Sequence, residues 1–311
     1  MPQSKSNMKQ ILALLLFIFG IGLLQAQTPI TVNTPADSIT FAIIGDYGQN
    51  TREEGEVAEM VKKWGVDFII TTGDNNYFLG QRKTIVNNIG KYYCDFIYNP
   101  DAPTQLQCHG KADLEKVNRF FPCPGNHDNY SPGLKPYLQY FTLPGDEKNY
   151  TFSWGPVQFY SINTGMSANM DENSKESKWL QDQLPKSNEP FKFVYFHHPP
   201  YSTGEHGNAT KMQWPYGKWG VDAVLNGHEH FYERVEDKTS EKPIYITCGS
   251  SGNTHLYGCN VHPLDSARFK IKCDDQHYGA MKVRATAHMV VFEYYIATAP
   301  DQPIDTYILR K

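Results

Sequence analysis

Runs of apolar residues alternate along the chain with segments whose apolar positions recur at helical spacing. The apolar run at residues 39–44 stops at a Gly-Asp pair. The helical stripe that follows consists of Val57, Met60, Val61 and Trp64. Their i, i+3, i+4, i+7 spacing predicts an amphipathic helix that ends near Gly65.

Further segments combine β-branched and aromatic residues with Gly or Pro at their ends, which is typical of strands. They are VDFIITTGDNNY, TFSWGPVQFYSIN, FKFVYFHHPP, VDAVLNGHEH and EKPIYITCGSSG. SKESKWLQDQL predicts another helix. Continuous Val/Ile/Phe runs favour strands that are covered on both faces. The alternation of such strands with helices predicts the α/β class.

Polar residues follow several of these apolar runs directly, at the point where each predicted strand ends. They are Asp46, Asp74, Asn126, His197 and His228. In α/β sheets the ligand crevice lies outside the carboxyl ends of the strands. We therefore expect oxygen and imidazole donors from several strand ends to meet at one edge.

Each of these residues also has a simpler interpretation when it is taken alone. Asp46, Asp74 and the Asn-His-Asp triplet at 126–128 follow glycines, and Gly-Asp is a common turn signal. His197 fits a buried histidine with satisfied hydrogen bonds. His228 and His230 are stronger candidates, because alternate residues of an extended chain point to the same side.

Tyr77 lies in the same stretch as Asp74, TTGDNNYFLG, and has two interpretations. It is either an aromatic ring that packs under a loop or a phenolate ligand of a metal. A donor set that mixes oxygen and nitrogen suits iron, zinc or manganese. Two such cations, held about 3.5–4 Å apart, clamp a phosphoryl group and generate hydroxide from water.

The five motifs GDYG, GDNNY, GNHD, VYFH and GHEH resemble, in this order, those of the calcineurin-like metallophosphoesterases. More narrowly, the tyrosine in GDNNY resembles the purple acid phosphatases of the small, tartrate-resistant type. The resemblance extends from about Phe41 to Gly252. It implies an α/β (α+β) fold, a four-layer α/β/β/α sandwich of two mixed β-sheets flanked by helices.

The resemblance also implies a binuclear centre of Fe(III) plus a divalent metal, which is Fe, Zn or Mn. The ligands implied for the ferric site are Asp46, Asp74, Tyr77 and His230. The ligands implied for the divalent site are Asp74, Asn126, His197 and His228, so that Asp74 bridges.

Two further histidines correspond to residues that contact the substrate in this family. His127 is implied to lie beside the phosphate, and His206 to contact the phosphate and the leaving group. His198 falls at a variable position and is expected to pack. Glu205 either orients His206 or is a solvated carboxylate.

The activity implied is that of an acid phosphatase that hydrolyses phosphate monoesters by attack of metal-bound hydroxide, releasing inorganic phosphate. A phosphodiesterase or nucleotide hydrolase on the same site is the alternative. A third possibility, from another class, is an exported binding or adhesion module with an inactive site.

Residues 1–26 have the pattern of a secretory signal peptide, with Lys5 and Lys9 before a short apolar run and Ala26 at the cleavage position. Beyond it we expect no membrane segment, and a single domain at 36–311. Export to the periplasm or the medium is therefore predicted.

Charge argues against one class of partner. Removal of residues 1–26 takes Lys5 and Lys9 from the 29 basic residues and none of the 33 acidic ones, which leaves a net charge of −6. No Lys/Arg run is present to follow a phosphate backbone, so a nucleic-acid polymer is not expected as partner.

The six cysteines do not form CxxC pairs, and in an exported chain an even number favours disulfides. The pairs close in sequence, Cys94–Cys108 and Cys259–Cys273, are the preferred predictions. Cys123 and Cys248 are either a third bridge or two buried thiols.

Overall fold

The computed structural model describes residues 31–32, 38–165, 170–240 and 243–311. The predicted signal peptide at residues 1–26 lies outside the described residues. None of the helices in the described part of the chain has the length and apolar character needed to cross a bilayer.

Strands make up most of the regular structure. The strands described are β1 (Thr31–Val32), β2 (Ser38–Ile44), β3 (Phe68–Thr71), β4 (Phe120–Pro122), β5 (Tyr150–Trp154), β6 (Val157–Ser161), β7 (Phe191–Tyr195), β8 (Ala223–Asn226), β9 (Tyr232–Asp237), β10 (Ile244–Cys248), β11 (Phe269–Asp274), β12 (Gly279–Thr286), β13 (Met289–Ile296) and β14 (Asp305–Arg310).

The helices are short, apart from two. The α-helices described are α1 (Arg52–Lys63), α2 (Arg82–Ile85), α3 (Lys91–Tyr93), α4 (Lys111–Glu115), α5 (Asn126–Asn129), α6 (Lys135–Tyr140) and α7 (Lys175–Gln183). A π-helical turn, Val86–Gly90, joins α2 to α3. Single 3₁₀ turns occur at Thr104–Leu106, Pro132–Leu134, Leu184–Lys186 and Thr210–Met212.

The strands form two mixed sheets. The eight-stranded sheet has the order β1-β5-β6-β7-β8-β10-β9-β11, and the six-stranded sheet has the order β14-β13-β12-β2-β3-β4. Strands β2, β3 and β4 are parallel neighbours in one sheet. Strands β6, β7, β8 and β10 are parallel neighbours in the other. Each sheet therefore brings several carboxyl ends to one edge.

Aromatic side chains fill the space between the sheets. The rings of Phe41 on β2 and Phe159 on β6 have centroids 5.2 Å apart, and Phe121 on β4 stacks on Phe152 of β5 at 4.0 Å. All four side chains are buried. Because such rings are large and rigid, they fix the spacing of the strands whose ends carry the polar residues.

Helices cover the outer faces. Helix α1 begins after Thr51, whose side-chain oxygen accepts a hydrogen bond from the Glu54 N–H at 3.0 Å, and it packs Val57 and Val61 into the core. On the eight-stranded sheet, Leu180 of α7 packs in a second buried cluster with Val194 of β7. Both predicted helices are present, and the predicted sandwich of two mixed sheets with helices is confirmed.

The preferred disulfides are also present. Cys94 is bonded to Cys108, and Cys259 to Cys273. Cys123 and Cys248 are free and buried, so the structure favours two thiols over a third bridge.

Candidate metal centre

The predicted donors lie together where the carboxyl ends of the two sheets meet. The residues that follow β2, β3, β4, β7 and β8 are, in that order, Asp46, Asp74, Asn126, His197 and His228. Hydrogen bonds join the two sheets at this edge. The backbone N–H of His228 donates to Asp46 Oδ2 at 2.9 Å, and His197 Nδ1 lies 2.9 Å from the Thr72 carbonyl oxygen.

One group of donor atoms surrounds the Tyr77 hydroxyl. This oxygen lies 3.2 Å from Asp46 Oδ1, 3.1 Å from Asp74 Oδ2 and 3.2 Å from His230 Nε2. The ring is buried, as a packing role requires. In addition, its hydroxyl lies within 3.2 Å of three polar atoms, which is the arrangement that a ligand role requires.

A second group surrounds His197. Its Nε2 lies 3.0 Å from Asn126 Oδ1, 3.2 Å from His228 Nδ1 and 3.3 Å from Asp74 Oδ2. Asp74 Oδ2 thus belongs to both groups. The other Asp74 oxygen, Oδ1, accepts a hydrogen bond from the His127 backbone N–H at 2.8 Å, which fixes the carboxylate between them.

Hydrogen bonds on the far side of two rings determine which nitrogen faces the centre. His197 Nδ1 lies 2.9 Å from the Thr72 carbonyl, and His230 Nδ1 lies 2.7 Å from the His255 carbonyl. A carbonyl accepts a hydrogen bond only from a protonated nitrogen, so each ring turns its Nδ1–H away and presents Nε2 to the centre. This is how histidine ligands of metals are usually held.

Two glycines allow the loops that carry the donors to lie close to one another. Gly73 has φ +97°, and a Cβ on it would lie 2.6 Å from His197 Nδ1. A Cβ on Gly125 would lie 2.1 Å from Asp74 Oδ1. A side chain at either position therefore displaces a donor.

The electrostatics of the buried groups favour a cation. Burial disfavours the charged form of Asp74, but the imidazoles of His197 and His127 outweigh it and hold the pKa of that carboxyl well below its usual range. Burial likewise lowers the pKa of His197, but Asp74 and Asp46 outweigh it and raise this pKa to about 9. The carboxylates thus favour a positive charge beside them.

The same surroundings also favour the protonated form of Tyr77. Burial, together with the charges of Asp74 and Asp46, raises the pKa of its hydroxyl well above the usual value. A metal cation would replace the proton on His197 and reverse this shift, because a coordinated cation stabilises the phenolate. The residues present therefore fit a pair of metal ions that accept carboxylate, phenolate, amide and imidazole ligands.

Two more predicted residues border the same space. His127 Nδ1 lies 2.6 Å from the Phe78 carbonyl oxygen, and its Nε2 lies 3.8 Å from Asp74 Oδ2. The His206 ring lies 4.3 Å from the His228 ring. Both imidazoles thus stand beside the donor groups without belonging to them.

The partner of His206 is a residue that the sequence analysis did not single out. The candidate named there, Glu205, is exposed. The buried carboxylate of Glu229 lies 3.3 Å from His206 Nδ1 and accepts a hydrogen bond from the His206 N–H at 2.8 Å. The signal for Glu229 was its place inside the GHEH motif, between two predicted metal ligands.

A second overlooked pair ties two motif loops together. Asp128 Oδ2 accepts hydrogen bonds from the Gly125 N–H at 2.9 Å, the Asn75 N–H at 3.1 Å and the Asn75 side-chain amide at 2.9 Å. Both residues lie inside quoted motifs, GNHD and GDNNY. Nothing in their local sequence indicates that they contact each other.

His198 borders the cavity with its ring 4.4 Å from that of His228, and it is hydrogen-bonded to a residue outside the donor groups. Its Nδ1 lies 2.8 Å from Thr164 Oγ1. Burial and the neighbouring charge of His197 lower its pKa to about 3, so the ring is neutral at ordinary pH.

A cavity of about 430 Å³ opens over the two donor groups. Five histidines border it, together with Tyr130 and Tyr257, and among the described lining residues there is no lysine or arginine. Its volume lies in the lower part of the range for small-molecule sites, roughly 300–1,000 Å³.

The family model of the calcineurin-like phosphoesterases matches residues 39–232, which contain the donor groups described above. The chain belongs to this family. It is therefore a phosphoester hydrolase by family, as the motifs predicted.

Two curated relatives support the narrower resemblance. The chain is 26% identical over 294 residues to purple acid phosphatase 7 of Arabidopsis thaliana, covering 83% of this chain and 82% of that protein. It is 24% identical over 276 residues to tartrate-resistant acid phosphatase type 5 of Rattus norvegicus, covering 76% of this chain and 79% of that protein.

The fold is also similar to a solved purple acid phosphatase. The structure of PPD1 from yellow lupin (Lupinus luteus) seeds superposes with a TM-score of 0.68 at 15% identity, over 88% of this chain and 54% of that one. This chain spans about half the length of the lupin protein. The similarity supports the sandwich of two sheets.

Proposed function

We propose that the protein is an exported acid phosphatase that hydrolyses phosphate monoesters at a binuclear metal centre. The observation that carries the proposal is the position of Asp74 Oδ2, which lies 3.1 Å from the Tyr77 hydroxyl and 3.3 Å from His197 Nε2. One carboxylate oxygen between two donor groups suits two cations that need a bridging anion.

The proposed ligands follow from the two groups. Asp46, Asp74, Tyr77 and His230 would hold Fe(III), for which the hard phenolate is suited. Asp74, Asn126, His197 and His228 would hold a divalent ion, Fe, Zn or Mn. When bound, such a pair polarises phosphoryl oxygens and lowers the pKa of water enough to supply a nucleophile.

His127 and His206 would bind the phosphate and move the proton. His127 Nδ1 is held by the Phe78 carbonyl at 2.6 Å, so its Nε2 faces the cavity. His206 Nδ1 faces Glu229 at 3.3 Å, so its Nε2 is free to donate a proton to the leaving oxygen.

An acidic working range is consistent with this division of roles. A hydrogen bond from His206 to Glu229 raises the pKa of the imidazole, although partial burial opposes it. Protonated His206 is the form that serves as the acid, and it predominates below that raised pKa.

Export is supported by the two disulfides, since such bonds persist in oxidising compartments. It rests further on the signal-peptide pattern at residues 1–26. We infer that one domain at 36–311 carries the activity, with small phosphate esters as substrates and inorganic phosphate as product.

The test is an assay of purified, metal-analysed protein on matched esters. We expect about two metal ions per chain and turnover of phenyl phosphate well above that of bis-phenyl phosphate. Faster turnover of the diester would favour the phosphodiesterase alternative. Two metals without turnover of either ester would favour an inactive binding module and overturn the proposal.

A further inference from the structure

Exposed apolar side chains gather beside the mouth of the cavity. The exposed fractions are 63% for Phe78, 50% for Leu79 and 43% for Tyr130. Six large apolar side chains in the described part of the chain are at least 43% exposed, and three of them lie in the loops that carry Tyr77 and His127. Single exposed apolar residues are ordinary, whereas a group at a functional site marks a binding surface.

The two loops that carry these side chains are fixed to each other. Ser131 Oγ donates to the Leu79 carbonyl at 2.7 Å and lies 2.9 Å from the Gly80 carbonyl. His127 Nδ1 donates to the Phe78 carbonyl at 2.6 Å. The surface is therefore preformed, and a ligand would bind it without ordering a loop.

Two of these side chains, Phe78 and Tyr130, adjoin the position proposed for the phosphate. The Tyr130 ring lies 5.1 Å from the His127 ring, nearly at right angles to it, and Tyr130 borders the cavity. The Phe78 ring lies 6.4 Å from the His127 ring. An ester whose phosphate is held by His127 thus has an apolar surface beside its organic group.

We propose that Phe78 and Tyr130, the mouth patch, form a subsite that selects phosphate monoesters with a flat aromatic leaving group. The inference rests on the proposed function and specifies its substrate class. A cavity of about 430 Å³ accommodates a phosphate and one ring. Its described lining contains no lysine or arginine, so beyond the histidines a polyphosphate chain meets no further cationic side chain there.

Contact with an aromatic ring is worth roughly a two- to twelvefold change in affinity beyond the area it buries. Tyr130→Ala and Phe78→Ala remove the rings, and the double variant removes both. Tyr130→Phe keeps the ring and loses only the hydroxyl. Leu114→Ala is the matched control, because Leu114 is 82% exposed on α4 and lies outside the mouth patch.

The probes are benzylphosphonate and methylphosphonate, used as competitive inhibitors of phosphate-ester hydrolysis by the metal-loaded protein. Neither has a scissile ester bond, so the ratio of their inhibition constants reports binding of the ring alone. We expect the wild type, Tyr130→Phe and Leu114→Ala to bind benzylphosphonate about tenfold more tightly than methylphosphonate. In the double variant this ratio falls toward one.

Other outcomes overturn the inference. A ratio that is unchanged in the double variant excludes the subsite, while hydrolysis by the wild type leaves the proposed function intact. An unchanged ratio with a wild-type dimer that becomes monomeric in the double variant would assign the patch to an interface between copies. If no ester is hydrolysed, the proposed function fails, and calorimetric titration with the same phosphonates still decides whether the ring binds.

Discussion

The buried carboxylate of Glu229 holds the segment that carries His206 in three places. It accepts hydrogen bonds from the N–H groups of His206 at 2.8 Å and Gly207 at 3.0 Å, and it lies 3.3 Å from His206 Nδ1. Glu229 thereby fixes both the position of the ring and the nitrogen that faces the cavity.

Glu229→Gln should shift the alkaline limb of the kcat profile to lower pH. The carboxylate raises the pKa of His206, so its removal lowers that pKa, and the protonated acid is lost at a lower pH than in the wild type. Glutamine keeps an oxygen for the two backbone N–H groups. Glu205→Gln is the control: Glu205 is exposed and contributes least to the raised pKa of His206, so this variant should move the limb much less. If the alkaline limb of the pH profile does not move in Glu229→Gln, Glu229 does not raise the pKa of the acid.

His206→Ala should slow the hydrolysis of esters with poor leaving groups far more than the hydrolysis of nitrophenyl phosphate. Loss of a general acid typically lowers kcat by about 10²–10⁴-fold, and a good leaving group needs little protonation. Metal content should be unchanged, because His206 lies outside both donor groups. Equal losses on both substrates would reduce His206 to a phosphate-binding residue.

Asp74→Ala should empty both metal positions, whereas His228→Ala should weaken mainly one. The reason is that Asp74 Oδ2 lies in both donor groups and His228 Nδ1 only in the second. Metal analysis after dialysis, with circular dichroism as a check on folding, measures this. A folded Asp74→Ala protein that keeps two ions would make the ligand assignment wrong.

Tyr77→Phe should remove or weaken a visible absorption band of the oxidised iron protein. Burial and two carboxylates raise the pKa of this hydroxyl, so only a strong cation such as Fe(III) would hold it as phenolate, and phenolate-to-iron charge transfer absorbs visible light. Phenylalanine keeps the ring and therefore the packing. The measurement is the visible spectrum of both proteins at matched iron content. If Tyr77→Phe retains the band, Tyr77 has a packing role and is not a ligand.

The double variant Cys94→Ser, Cys108→Ser should unfold more readily without losing its metals. The bond joins residues separated by 14 positions, and a loop of this length contributes about 3 kcal/mol through the unfolded state. Urea unfolding with and without the bond gives the difference in free energy. The double variant Cys123→Ser, Cys248→Ser is the matching comparison, because these two cysteines are buried thiols that form no bridge.

The sequence alone was sufficient for the strands that lead into the cluster and for the donors that follow them. Apolar runs identified β2, β3, β7 and β8, because strands buried on both faces need continuous apolar residues. The same rule marked Asp46, Asp74, His197 and His228, since a polar residue directly after such a run falls at a strand end. The residues of the cluster were thus predictable from the order of the chain.

Only the tertiary structure decided which partners these residues have. Glu229 lies 23 positions from His206, and Asp128 lies 53 positions from Asn75, so no local pattern connects them. The mouth patch likewise depends on two loops that Ser131 and His127 tie together. Strand order and loop approach place such residues side by side, and these depend on how the two sheets pack. A local pattern in the sequence records which face of an element is buried, but not what lies against it.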